Sequence, residues 1–117
     1  MIQRGDVWMV AYDPVALVQG HEQAGPRPAL VLSREAMGPR AMVTVVPFTR
    51  TARLKSPTRI ELTPPEGGLK SPSYVICEQP RTFARTRFTY KMGSVTSATM
   101  LAVEDVMCML LDFRVRR

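Results

Sequence analysis

A mainly β fold with one terminal helix is what this sequence predicts, as a small, strongly bent antiparallel sheet or partly open barrel. Three observations predict it. About five short runs of β-branched and aromatic residues are separated by turns rich in Gly and Pro. A single stretch of helical periodicity follows them near the C-terminal end. At 117 residues the chain is expected to form one domain, residues 1–117, long enough to bury a core without metal or disulfide staples.

The composition is 45% apolar and 22% charged, which is globular rather than disordered, and the apolar runs are too short to span a membrane. Asp6 precedes any long apolar region, so the N-terminus does not resemble a secretory signal, and a cytoplasmic protein is expected. Cys77 and Cys108 lack the spacing of a zinc site or a redox pair and read as buried free thiols. With His21 the only histidine, no dedicated metal site is expected, and any catalysis should proceed without metal or other cofactor. Sixteen Lys and Arg against ten Asp and Glu give a net charge of +6 and a pI near 10.0, which suits a polyanionic partner or serves solubility alone.

Val7 to Tyr12 (VWMVAY) is the first predicted strand, entered through the turn-like Arg4-Gly5-Asp6 and closed by Asp13-Pro14. Residues 15 to 28 form a loop long enough to favour function over simple connection, and it holds His21, Glu22, Gln23 and Arg27. Gly25 and Pro26 bend the chain, and Pro28 pushes Arg27 towards an extended conformation. The guanidinium is thus presented by a stiff scaffold where loop becomes strand, either as a working group or as the partner of a carboxylate such as Glu22 or Glu78. Ala29 to Ser33 and Met42 to Phe48 are the next strands, with Pro47 at a strand end, edge or bulge and the Thr49 hydroxyl emerging beyond it.

Arg50 to Pro57 carries Arg50, Arg53 and Lys55 and reads as a basic loop able to clamp a phosphate backbone, or simply as a solvated one. Arg59 to Leu62 alternates, and Pro64 to Gly68 is a strong turn before a strand over Ser73 to Gln79. Alternation there puts Tyr74, Ile76 and Glu78 on one face and Val75, Cys77 and Gln79 on the other. Arg81, Arg85 and Arg87 interleave with Phe83 and Phe88, a pattern that suits single-stranded nucleic acid and equally suits core aromatics flanked by surface arginines. Lys91 to Val95 is a short strand or turn. Ser97 is the expected cap of a helix from about Ala98 to Asp112, with Met100, Val103, Met107, Leu110 and Leu111 on its inner face.

Taken in order, RGDVW, GHEQAGPRPALVLS, VVPFT, YVICEQPRT and the terminal LLDF closely resemble the MazF/PemK (Kid-type) toxins of bacterial toxin-antitoxin modules, over essentially the whole chain. The resemblance implies an SH3-like barrel with a helix, a homodimer, and metal-independent, sequence-specific cleavage of single-stranded RNA. It also implies a cognate antitoxin whose acidic, partly disordered tail covers the basic groove. On this basis Arg27 matches the family's essential arginine and Thr49 its threonine or serine site. Glu78, Gln79 and Arg81 match an acidic-Gln-x-Arg element beside the groove, and His21 and Glu22 the GHEQ loop of the PemK-like branch. That branch has arginine where this chain has Ile76 and aspartate where it has Glu78, so its acid/base pair does not transfer intact.

The implied chemistry needs a base for the ribose 2′-hydroxyl, charge on the pentavalent phosphorane, and a proton for the departing 5′-oxygen. Arg27 suits the clamp, because its fork matches two phosphate oxygens, while Thr49 aligns the phosphate. Glu22, Glu78 and His21 compete for the base. Two other functions share the pattern: a CcdB-like gyrase poison and a non-catalytic RNA-binding module. The first depends on a C-terminal tryptophan, whereas the only tryptophan here is Trp8.

Overall fold

The computed structural model describes residues 1–12, 25–35, 37–51 and 56–114. Within them the elements run β1 (Asp6–Ala11), β2 (Pro26–Val31), β3 (Met42–Thr49), β4 (Arg59–Leu62), β5 (Ser73–Ile76), β6 (Arg81–Ala84), β7 (Phe88–Ser94) and α1 (Ser97–Leu111). Single 3-10 turns lie at Glu66–Gly68 and Arg85–Arg87. The strands form one antiparallel sheet in the order β4-β5-β3-β2-β1-β7, and β6 also pairs with β3.

Strand β3 is the hub. Its first half pairs with β6, from Met42 opposite Ala84 to Val45 opposite Arg81. Its end pairs instead with β5, Phe48 opposite Val75 and Thr49 opposite Tyr74. A strand that changes partner part-way along must bend, which curls the sheet into the small barrel-like fold expected. Both faces of the sheet are covered. Val10, Tyr12, Ala29, Val31, Val43, Val45 and Phe83 pack on one side, and Val7, Leu30, Val46, Phe48, Leu62, Val75 and Val103 on the other. Burial on both sides explains why Ala29 to Leu32 reads as an unbroken apolar run.

Several boundaries differ from the sequence reading. Seven strands form rather than about five, because Arg81–Ala84 pairs with β3 and turns Phe83 into the core. Strand β2 begins at Pro26 rather than Ala29, since β1 pairs with it from Ala11 opposite Pro26. Strand β5 stops at Ile76, where the Gln79 N–H donates to the Ile76 carbonyl and closes a turn.

Helix α1 is capped by Thr96, not Ser97: the Thr96 hydroxyl accepts from the Thr99 N–H at 3.1 Å. The acidic residue that a capping box would supply locally comes from far away. Glu66 accepts from the Thr96 N–H at 3.0 Å and the Thr99 hydroxyl at 2.6 Å. Burial pushes the Glu66 carboxyl up, but the hydrogen bonds from Thr99 and Thr96 outweigh it, so the group titrates below its ordinary value. Val103 is fully buried, while Met100, Val106 and Met107 pack against the same core. Leu110 and Leu111, expected on the inner face, are 38% and 48% exposed, and Leu111 borders an open groove between helix and sheet.

Candidate active site

The site begins with prolines. Paired register of β2 with β3 covers Ala29–Pro47, Leu30–Val46 and Val31–Val45 and goes no further towards Arg27. The same register carried two residues on sets Arg27 opposite Thr49, but Pro26, Pro28 and Pro47 carry no N–H with which to continue the ladder. The strands therefore part there. A pocket of about 540 Å³ occupies the unzipped end, lined by Arg27, Thr49, Arg50, Lys70, Ser71 and Tyr90 with Met9, Phe48 and Met92 beneath.

Its far wall is held by a close approach of backbones. Gly68, at φ +71°, lies so near β7 that a Cβ would meet the Met92 carbonyl oxygen at 2.1 Å. A Cβ on Gly93 would meet the Gly67 carbonyl carbon at 2.7 Å. Only glycine fits on either side of this contact, which seats Leu69, Lys70 and Ser71 against β7 and hence in the pocket wall. Among the described lining residues three are cationic and none is a carboxylate or imidazole. Such a surface can bind a phosphodiester and polarise it, since guanidinium and hydroxyl donors converge on one cavity.

Behind the pocket, Tyr12 lies on the same sheet face as Val10, the cross-strand partner of Arg27. The Tyr12 hydroxyl is buried and has no hydrogen-bond partner among the described residues. Burial pushes its pKa up to about 12, against the opposing pull of the Arg81 and Arg27 charges. The Arg81 guanidinium lies 5.3 Å from the Tyr12 ring centre and 4.8 Å from that of Phe83, and Arg87 lies 5.7 Å from Phe83. Arginines and aromatics do interleave here, but the arginines cover the rings. Phe83 is 5% exposed and offers no face to a base.

The expected site residues thus divide. Arg27, Thr49 and Arg50 come together in one pocket. Glu78 does not join them: its carboxylate accepts from the Thr58 hydroxyl and lies 3.8 Å from Arg59 Nε, at the far end of β5 from Tyr74, the partner of Thr49. The expected alternation through Glu78 and Gln79 is broken by the turn, which buries Ile76 and Cys77 in succession. Desolvation, and then the Glu78 charge, push the Cys77 thiol up to about 11.

Gln79 is half-buried after that turn and lines none of the cavities described here. Arg81 lines a different groove, under α1. Arg85 donates to the Gly38 carbonyl at 3.2 Å and Arg87 to the Ala11 carbonyl at 3.1 Å. His21, Glu22, Gln23, Arg53 and Lys55 lie outside the described residues. Lys70, Ser71 and Tyr90 were not anticipated. The glycine pair at 67 and 68 was a signal for the first two, and nothing local marks Tyr90.

The groove under α1 is larger, about 690 Å³, and mostly apolar: Leu32, Val103, Met107, Leu111 and Phe113 line it. Its charged residues include Arg4, which is paired with Glu104. No helix among the described residues is long and apolar enough to cross a membrane.

Fold and pocket define a class: a small, bent β-sheet protein with one C-terminal helix and a pocket lined by arginines and hydroxyls where the sheet opens. Residues 3–111 match the family described as PemK-like, MazF-like toxin of type II toxin-antitoxin system, and the chain belongs to that family. It is 31% identical to endoribonuclease EndoA of Bacillus subtilis, over 97% of this chain and 99% of the relative. It is 29% identical to endoribonuclease MazF9 of Mycobacterium tuberculosis, over 96% and 98%. Among solved structures, an endoribonuclease in complex with its cognate antitoxin from a mycobacterial species superposes with a TM-score of 0.73 at 23% identity, covering 99% of this chain and all of that one.

Proposed function

We propose that this chain is the toxin of a type II toxin-antitoxin pair, a cytoplasmic, metal-independent and sequence-specific endoribonuclease that cuts single-stranded RNA and so halts translation. The observation that carries the reading is the shared pocket of Arg27 and Thr49. The Arg27 fork binds two non-bridging oxygens of the scissile phosphate, and its charge acts where negative charge develops in the phosphorane. The Thr49 hydroxyl donates to the same phosphate and holds it in line with the attacking ribose 2′-oxygen. Attack, with the 2′-hydroxyl proton passing to a base, displaces the 5′-oxygen, which takes a proton from solvent water and leaves a 2′,3′-cyclic phosphate and a 5′-hydroxyl end. Arg27 does not serve as the proton donor, because a guanidinium keeps its proton and stays charged throughout. Glu78 is engaged by Thr58 and Arg59, so we assign the base to His21 or Glu22. An acid limb in kcat/KM near the ordinary histidine value marks the first, and one near the glutamate value the second.

The exposed apolar end of α1, Met109, Leu110, Leu111 and Phe113, supports a homodimer built on that surface. The charge of +6 supports an antitoxin with an acidic tail laid across the basic pocket. The test of the main reading is purified protein with a long RNA in excess EDTA. Defined cuts bearing 5′-hydroxyl ends are expected. Binding without cuts would make the chain a non-catalytic RNA-binding module, and neither binding nor cuts would turn attention to gyrase.

A further inference from the structure

The pocket holds more than a phosphate needs. Besides its cationic side it has an apolar floor, Met9, Phe48 and Met92, and an exposed aromatic side chain, Tyr90, at 55%. Tyr90 sits opposite Met9 across β1 and β7, and Met9 sits opposite Pro28 across β1 and β2. Paired residues share a face of a sheet, so Tyr90, Met9 and Pro28 form one row on the face opposite to that of Arg27 and Val10, and Tyr90 and Arg27 come together only at the pocket where the sheet opens. Lys70 is exposed on the same wall and has no carboxylate partner among the described residues.

We propose that the β7 side of the pocket is a nucleobase subsite, in which Tyr90 stacks on the base next to the scissile phosphate and Lys70 neutralises the following phosphate. This rests on the reading of the chain as a single-strand ribonuclease. A bare anion would gain nothing from the methionine and tyrosine wall, and a duplex would keep its bases out of reach. An unpaired nucleotide presents the complementary set: one π-face, flanked by phosphates on both sides. Tyr90 is then a substrate-binding residue that shapes sequence preference at one position. Lys70 contributes affinity without sequence information.

The experiment uses the intact protein and a pool of short 2′-O-methyl RNA oligonucleotides, which cannot be cut, read by fluorescence anisotropy over a range of salt. Tyr90→Ala is expected to weaken binding about five- to hundredfold, while Tyr90→Phe, which keeps the ring, stays within about twofold of wild type. Lys70→Ala is expected to weaken binding and to flatten the slope of log K against log salt by about 0.7, whereas Tyr90→Ala leaves that slope unchanged. On cleavable RNA, sequenced ends from Tyr90→Ala should lose preference at a single position beside the cut. The surface position of Tyr90 makes an unchanged melting temperature the control for folding. Wild-type affinity and an unaltered cut-site pattern in Tyr90→Ala, with the wild-type protein cutting normally, would overturn the base subsite and leave the nuclease reading standing. A wild-type protein that neither binds nor cuts RNA would end both.

Discussion

The two hollows of the molecule, about 540 Å³ at the open end of β2 and β3 and about 690 Å³ beneath α1, differ less in size than in what lines them. The larger is a seam between a helix and a sheet, walled by Leu32, Val103, Met107 and Leu111, with Arg4 and Glu104 paired at its rim. The smaller gathers Arg27, Arg50 and Lys70 with hydroxyls from Thr49 and Ser71, and no carboxylate is among its described lining residues. Volume therefore does not locate the chemistry here. On the proposed reading the gathering of donors of one sign does, because a phosphodiester is held by charge and geometry rather than by enclosure.

The sharpest way to break this contrast is Arg27→Ala. Cleavage should fall by about 10²–10³-fold or more, the magnitude seen when a transition-state donor is removed, while the melting temperature stays near wild type. A fully active variant would remove the pocket from the mechanism. On the other side, Val103→Ala hollows the packing under α1 and should cost about 1.5–3 kcal/mol of stability in denaturant titrations, with activity per folded molecule unchanged. A smaller effect is expected behind the pocket, where Tyr12→Phe removes a buried hydroxyl with no described partner. That variant should be as stable as wild type, or more stable by on the order of 1 kcal/mol.

The smallest effect tests the tie between the two regions, since Glu66 fastens the start of α1 to the turn that leads into Lys70. A carboxyl held below its ordinary value stabilises the fold above the unfolded pKa and loses that contribution as pH falls through the folded one. Wild type should therefore lose stability on acidification from about pH 4.3 downward, and Glu66→Gln should lose less over that range while being weaker at neutral pH. Equal acid sensitivity in both proteins would show that Glu66 is no such tie.

Much of this was readable in the chain. The β-branched runs at Val7, Ala29 and Met42 sit in strands, the periodic C-terminal segment is a helix, and Arg27 and Thr49 mark ends of neighbouring strands. What could not be read depends on contacts between distant segments. Tyr90 and Lys70 reach the pocket only because Gly67, Gly68 and Gly93 let two backbones nearly touch. Strand β6 is too short to show a pattern of its own, since RTFA reads as a strand only when Val43 stands opposite Phe83. Glu78 looked like a groove residue because alternation was extended through a turn that a local hydrogen bond from Gln79 to Ile76 imposes. Thr96 displaces Ser97 as the cap because the acid that completes it, Glu66, lies thirty residues upstream.

The prolines at 26, 28 and 47 have a consequence beyond shaping a cavity. A sheet whose strands part is an invitation to any extended segment of another molecule, which can dock through the vacant amides and seed aggregates. On the parted stretch of β2 two positions, Pro26 and Pro28, have no amide hydrogen to offer such an intruder, and Pro47 closes the ladder beside them. On the proposed reading the protein holds its sheet open to a polymer of nucleotides while giving little purchase to a polymer of amino acids.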